Sequence, residues 1–210
     1  MAHLDLHEQE QVAKVKYFWR DWGKYIALLL IILIIAYLSS VAWNWYGKKQ
    51  ALSAATIYSE FTASVTAKDT AKIYSIAKDL EIKYPKVEYT TMANMAAAKV
   101  AVDNKQQDKA IEFLNWNLEN AKNKGLVAMS RLNLANIYMD KKQYDKAMEL
   151  LKGNQYVAFD ALFYNARGDL YLVKGDNDKA RDAYKEALKK AGDDTSITQS
   201  IQMKLDILGV

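Results

Sequence analysis

The stretch that decides the reading is Tyr25–Gly47, YIALLLIILIIAYLSSVAWNWYG. No charged residue falls between Lys24 and Lys48, and Leu, Ile, Ala and Val dominate from Ile26 to Ala42. A membrane-spanning helix needs roughly 20 mainly apolar residues to cross about 30 Å of hydrocarbon. This run has that length. In lipid a single helix satisfies all of its backbone groups internally. A cleaved signal fits less well. The run exceeds an h-region of about 7 to 15 residues, and no small-x-small site follows it. Trp43, Asn44, Trp45 and Tyr46 follow instead. A soluble core helix would carry a polar face, and this run has none.

Both flanks agree with a span. Trp19, Trp22 and Tyr25 lie on one side, and Trp43, Trp45 and Tyr46 on the other. Rings with one polar edge favour the headgroup zone. Of the five tryptophans, only Trp116 lies away from the run. Lys14, Lys16, Arg20 and Lys24 precede the run, against Lys48 and Lys49 soon after it. Basic flanks stay in the cytoplasm, so the sequence predicts a cytoplasmic N-terminus. In a bacterium residues 48–210 are then periplasmic.

The tail, residues 1–24, opens with MAHLDLHEQEQ. His3 and His7 have the i, i+4 spacing of a helical metal clamp, but no third ligand accompanies them, and a loose polar terminus is the expectation. Val12, Val15, Trp19 and Trp22 recur at helical spacing among Lys14, Lys16 and Arg20. This pattern predicts a short amphipathic helix at the cytoplasmic interface.

Composition excludes several functions. Lys and Arg total 29, Asp and Glu 25, giving a net charge of +4. The first 24 residues hold four of each sign, so the excess lies in the outer part. Such mixed charge predicts a solvated surface and no nucleic-acid partner. There is no cysteine, and His3 and His7 are the only histidines. Residues 48–210 therefore lack Ser-His and Cys-His nucleophile pairs and the common zinc ligand sets. Neither a catalytic residue nor a cofactor is expected.

Beyond Lys48 the chain has one proline, Pro85, few glycines and no alternating β pattern. Apolar residues recur every three or four positions. Helices are predicted over 51–67, continuing the span outward, and over 71–84, stopped by Pro85. A repeat follows. Asp-Lys-Ala occurs at Asp108, at Asp145 and at Asp178, separated by 37 and 33 residues. Each copy follows an Ala-rich segment and a polar turn, and each opens an amphipathic run. The aspartate falls in a first helical turn, where negative charge meets the positive end of the helix dipole.

These units resemble tetratricopeptide repeats, in which a small residue and an aromatic lie three apart on helix A and an alanine follows nine later on helix B. Gly168, Tyr171 and Ala180 match, with Tyr184 and Ala187 behind them. Ala135, Tyr138, Ala147 and Leu151 form the unit before, and Ala98, Ala101, Ala110 and Leu114 a weaker first one. No unit ends in proline, and Arg131 stands where an opening aromatic is usual. Ser196-Ile197-Thr198-Gln199 has capping-box form. The apolar face of Ile197, Ile201, Leu205 and Leu208 behind it predicts a closing helix. The fold expectation is all-α: a single N-terminal transmembrane helix, then a tetratricopeptide-like helical solenoid with a C-terminal capping helix.

In such a solenoid the A helices face a hollow. The pattern directs Met92, Met95, Met129, Leu132, Asn136, Met139, Leu162, Asn165, Asp169 and Leu172 toward it. Four of the seven methionines are among them. Flexible, polarisable methionine suits a surface accepting varied apolar segments. Packing against neighbouring helices accounts for the same residues equally well. Asn136 is half of a carboxylate clamp, but Leu132 stands where its lysine is needed.

The order of short tail, single span and degenerate tetratricopeptide units resembles the YfgM family, ancillary subunits of the SecYEG translocon. VKYFWRDWGK before the span, RGDLYLVKGDNDKARDAY in the last unit and the end IQMKLDILGV carry the likeness. The resemblance implies an inner-membrane protein with a periplasmic domain. It implies the SecYEG translocon, the membrane-anchored chaperone PpiD and unfolded exported polypeptides as partners, with the lipid bilayer as its support. It also implies a link to envelope stress regulation.

Overall fold

The computed structural model describes residues 6–153, 156–192 and 195–209. His3 and the His7 side chain lie outside what is described. The helices are α1 (Leu6–Thr66), α2 (Thr70–Lys83), α3 (Glu88–Asp103), α4 (Gln107–Asn120), α5 (Lys124–Asp140), α6 (Tyr144–Leu151), α7 (Asp160–Val173), α8 (Asn177–Ala191) and α9 (Thr195–Ile207). A short 3-10 turn, Val157–Phe159, precedes α7. No strand occurs among the described residues. By packing the chain divides between Gln50 and Ala51.

The first unit consists of α1 up to Gln50. Every residue from Ala27 to Lys49 is exposed. That surface is apolar and continuous, far beyond the scattered apolar exposure of an ordinary soluble protein. The helix is long and apolar enough to cross a membrane. Aromatic and basic side chains pair at both ends of the run: Lys24 Nζ lies 5.0 Å from the Tyr25 ring centre and Lys49 Nζ 5.5 Å from that of Trp45. One expectation changes here. The short amphipathic helix before the span is not a separate element, because α1 runs without a break through Lys24 and Tyr25. Helix also begins at Leu6, inside the segment expected to be loose.

The second unit, from Ala51, contains the end of α1 and helices α2 to α9. Its helices follow one another as hairpins. The apolar positions of α2 show why: Ile73, Ile76, Ala77 and Leu80 share one face and are all buried. The three Asp-Lys-Ala units are the hairpins α3/α4, α5/α6 and α7/α8, and Asp108, Asp145 and Asp178 each sit in a first turn, as expected.

Among the described residues four hairpins are present, not three. Each closes on a residue in the left-handed region: Lys68 (φ 57°), Lys105 (φ 60°), Lys142 (φ 58°) and Gly175 (φ 80°). In every case its N–H donates to the carbonyl three residues back. The following N–H donates to the carbonyl five residues back, as in Gln106 to Ala101 (2.7 Å) and Asp69 to Ser64 (3.0 Å). This is the Schellman arrangement, which satisfies the last carbonyls of the first helix. The turn at Lys68 makes the end of α1 and α2 the first unit. Its sequence hides it, because Ile73 occupies the place of Ala110, Ala147 and Ala180.

Counting from the left-handed residue exposes a second regularity. Seven positions before it and nine after it stand Phe61 and Ala77, Ala98 and Leu114, Ala135 and Leu151, Gly168 and Tyr184. All eight are buried. Each pair joins a larger to a smaller side chain, so combined volume is held roughly level while the members trade places. Close packing tolerates volume-conserving exchange far better than a net change.

A buried polar network joins the first two Asp-Lys-Ala hairpins. Asn94 Nδ2 donates to Asn117 Oδ1, and Asn117 Nδ2 donates to the Thr91 carbonyl and to Ser130 Oγ, each at 3.1 Å. Asn94, Asn117 and Ser130 are fully buried. At the far end α9 covers α8 with Ile201 and Leu205, as a closing helix should. It starts at Thr195, so Ser196 lies inside its first turn and is not the cap residue that the capping-box pattern suggests.

Candidate functional site

The ten residues expected to face the hollow all lie on first helices of hairpins: α3, α5 and α7. Equivalent positions line up across them. Met92, Met129 and Leu162 share one register, and Met95, Leu132 and Asn165 another. Asn136 and Asp169 share a third, with Met139 and Leu172 in a fourth. These registers differ in how open they are. Met92, Met129 and Leu172 expose 39%, 43% and 37% of their surface, a large fraction for apolar side chains on a folded helix. Asn136 is exposed. Met95 packs on the first core cluster, and Leu132 and Met139 on the second, leaving each half-buried. Leu162 is half-buried as well.

Asn165 and Asp169 are held differently. Lys204, projecting from α9, donates to Asn165 Oδ1 at 2.9 Å and to the two Asp169 oxygens at 2.6 and 2.8 Å. The Tyr184 hydroxyl donates to Asp169 Oδ1 at 2.6 Å. Burial, that hydrogen bond and the carboxylate's charge push the Tyr184 phenol well above the ordinary value of 10.0. The carboxylate thus joins α7, α8 and α9, and the last unit's polar inner residues are engaged within the chain. Sequence reasoning missed Lys204 and Tyr184 as its partners. The available signal was a carboxylate and an amide one helical turn apart, in registers held by Leu132 and Met95 and by Asn136 in the earlier units.

Arg131 has an equally local explanation. Its guanidinium donates to the carbonyls of Leu150, Lys152 (2.7 Å) and Gly153 (3.4 Å) and lies 5.2 Å from the Phe163 ring centre. The cation caps the C-terminal end of α6, where carbonyls lack intrahelical partners and the dipole favours positive charge. It therefore replaces the usual aromatic by doing a different job. Among the described residues, no group of three or more His, Asp or Glu side chains is placed to hold a metal.

On the first helices of the hairpins the open apolar positions are thus Met92, Met129 and Leu172, while Asn165 and Asp169 are tied to Lys204.

Residues 16–210 match the family model described as a tetratricopeptide repeat-like domain. The chain is similar to the ancillary SecYEG translocon subunit of Escherichia coli, 30% identical over 205 residues, covering 97% of this chain and 98% of the relative. The protein of the same name from Neisseria gonorrhoeae is 28% identical over 208 residues, 99% of both chains. That from Haemophilus influenzae is 24% identical over 203 residues, 97% of this chain and 98% of the relative. A domain match over almost the whole chain, relatives aligned end to end and the hairpin architecture agree: this chain belongs to the family of ancillary SecYEG translocon subunits with a tetratricopeptide repeat-like domain.

Proposed function

We propose that this chain is a single-pass inner-membrane protein that accompanies the Sec translocon and binds newly exported polypeptides on the periplasmic side. In this reading α1 is the anchor, the N-terminus is cytoplasmic and the second unit is periplasmic. The observation that carries it is the exposure of Met92 and Met129, which hold the same register on α3 and α5, together with that of Leu172 on α7. Such side chains offer dispersion contact without demanding one shape, which suits unfolded segments of varied sequence. Tethering raises the local concentration near a channel exit, so weak contacts suffice. The SecYEG translocon is proposed as the partner from the relatives' names. The chaperone PpiD and envelope stress regulation are proposed from the family resemblance. Asn165, Asp169 and the half-buried Met95, Leu132, Met139 and Leu162 are not proposed as contact points.

The test is site-specific crosslinking in intact cells, with photoreactive residues at 92 and 129 and a control at exposed Lys185. Varied exported chains captured at 92 and 129 but not at 185 are the expected result. A single fixed partner at these positions identifies a scaffold organising a different envelope complex, and defeats the proposal. Protease added to spheroplasts should reach residues beyond Lys48. Protection of that segment reverses the orientation.

A further inference from the structure

We propose that a notch at the edge of the α5/α6 hairpin binds a carboxylate with an apolar neighbour, such as the free C-terminal residue of a peptide. The notch encloses about 370 Å³ between Leu118 and Lys122 at the end of α4, Lys124, Val127 and Arg131 along α5, and Tyr156. That is within the range of small-ligand sites, about 300 to 1,000 Å³.

The origin of the notch lies in a short helix. Second helices of the other hairpins have 14, 14 and 15 residues, whereas α6 has 8. Arg131 meets the carbonyls that further turns of α6 would have met. It is thereby fixed at the notch wall on hydrogen bonds to neutral acceptors, with no carboxylate partner among the described residues. Lys124 Nζ lies over the Tyr156 ring at 5.5 Å, so its charge is turned to the notch wall. No acidic side chain among the described residues lines the space. Three cationic residues thus line a partly apolar recess that no carboxylate lines, Glu88 being held at its edge by the Asn123 amide at 2.8 Å. The field there favours an anion, and the recess shields it from full solvent screening.

The chemistry of the wall selects among anions. Phosphate sites at helix starts use free backbone N–H groups. Here the Gly125 and Leu126 N–H groups already donate to Asn123 Oδ1, at 3.0 and 3.2 Å. What remains is ammonium and guanidinium charge beside Leu118, Val127 and the Tyr156 ring. A carboxylate with an attached apolar group uses both halves. The site lies on a different face of α5 from Met129, Leu132 and Asn136 and shares no residue with the proposed contact points. Its failure would leave the reading of those points untouched.

The test is titration calorimetry on the full chain in uncharged detergent micelles. The probes are acetyl-Ala-Leu with a free carboxylate, the same dipeptide amidated, and inorganic phosphate. The free acid is expected to bind at least tenfold more tightly than the amide and than phosphate, and to weaken as salt rises. A Lys122→Glu/Lys124→Glu variant should lose at least tenfold in acid affinity with its helical circular dichroism unchanged, and Lys122→Arg/Lys124→Arg should keep it. Equal binding of acid and amide overturns the proposal. So do phosphate binding as tight as the acid, indifference to charge reversal, and no heat with any probe at millimolar concentration.

Discussion

The first and last hairpins solve one packing problem in opposite ways. At their equivalent crossing positions the first has Phe61 and Ala77, the last Gly168 and Tyr184. Both pairs are buried and both hairpins close on the same turn. In the first, bulk comes from the leading helix. In the last, the leading helix gives up its side chain entirely, and a Cβ on Gly168 would lie 2.3 Å from a Tyr184 ring carbon. What is preserved is the filled volume, and residue identity is free to invert around it. The inversion has a gain at the last hairpin: the ring that fills the gap ends in a hydroxyl, which reaches Asp169 and through it Lys204.

The sharpest way to break this comparison is Phe61→Ala. Removing a fully buried ring should cost about 4 kcal/mol, read by chemical denaturation of the full chain in detergent. Adding Ala77→Leu converts the pair to the Ala and Leu of the middle hairpins and should recover a large part of that loss. If Ala77→Leu deepens the defect, the two positions do not share one space. Next comes Gly168→Ala, expected to cost about 3 kcal/mol through overpacking against the ring. Adding Tyr184→Leu imports the same middle-hairpin pair and should return part of the loss, short by the hydrogen bond to Asp169. Should the double variant be no better than the single, the requirement for glycine lies in the helix backbone. The smallest effect is alkaline. The folded Tyr184 phenol is raised above its unfolded value, so its contribution is intact below about pH 10 and fades as pH climbs from there toward the raised value. Tyr184→Phe should flatten the stability loss in that range, and an absorbance titration should lose one late-ionising phenol. Unchanged alkaline behaviour would mean that the hydroxyl is not held by Asp169.

Much of the fold was legible because its signals are periodic. The uncharged apolar run, the three Asp-Lys-Ala turns and the apolar stripe of the closing helix each depend on spacing alone. The first hairpin was not legible as a repeat. Its marker position carries Ile73 and its crossing pair is inverted, so the positions that define the later units do not match, although Lys68 and Lys72 repeat the lysines of those units. The boundary before the span failed for a related reason: Val12 to Trp22 has helical spacing, but spacing cannot say whether one helix stops before the next begins. At the candidate site, the registers of Met92 and Met129 were readable because those side chains follow the helical period. The engagement of Asn165 and Asp169 was not, since Lys204 lies 35 residues beyond Asp169 and meets it only through tertiary packing. The same holds for Asn94 and Asn117, 23 residues apart and polar within otherwise apolar faces.

The recurring left-handed turn gives the chain a seam at which it can be shortened. Lys105-Gln106 and Lys142-Gln143 are the same dipeptide in the same conformation, each followed by the same Asp-Lys-Ala at the same offset. Excising residues 106–142 would join Lys105 to Gln143, leaving one intact turn and an Ala98–Leu151 crossing of the type already used twice, but it would also remove Asn117, the partner of buried Asn94, so an apolar residue at 94 is needed with it. The number of hairpins is thus adjustable by whole increments at a turn the chain already uses, with the buried amides at the splice as what must be repacked.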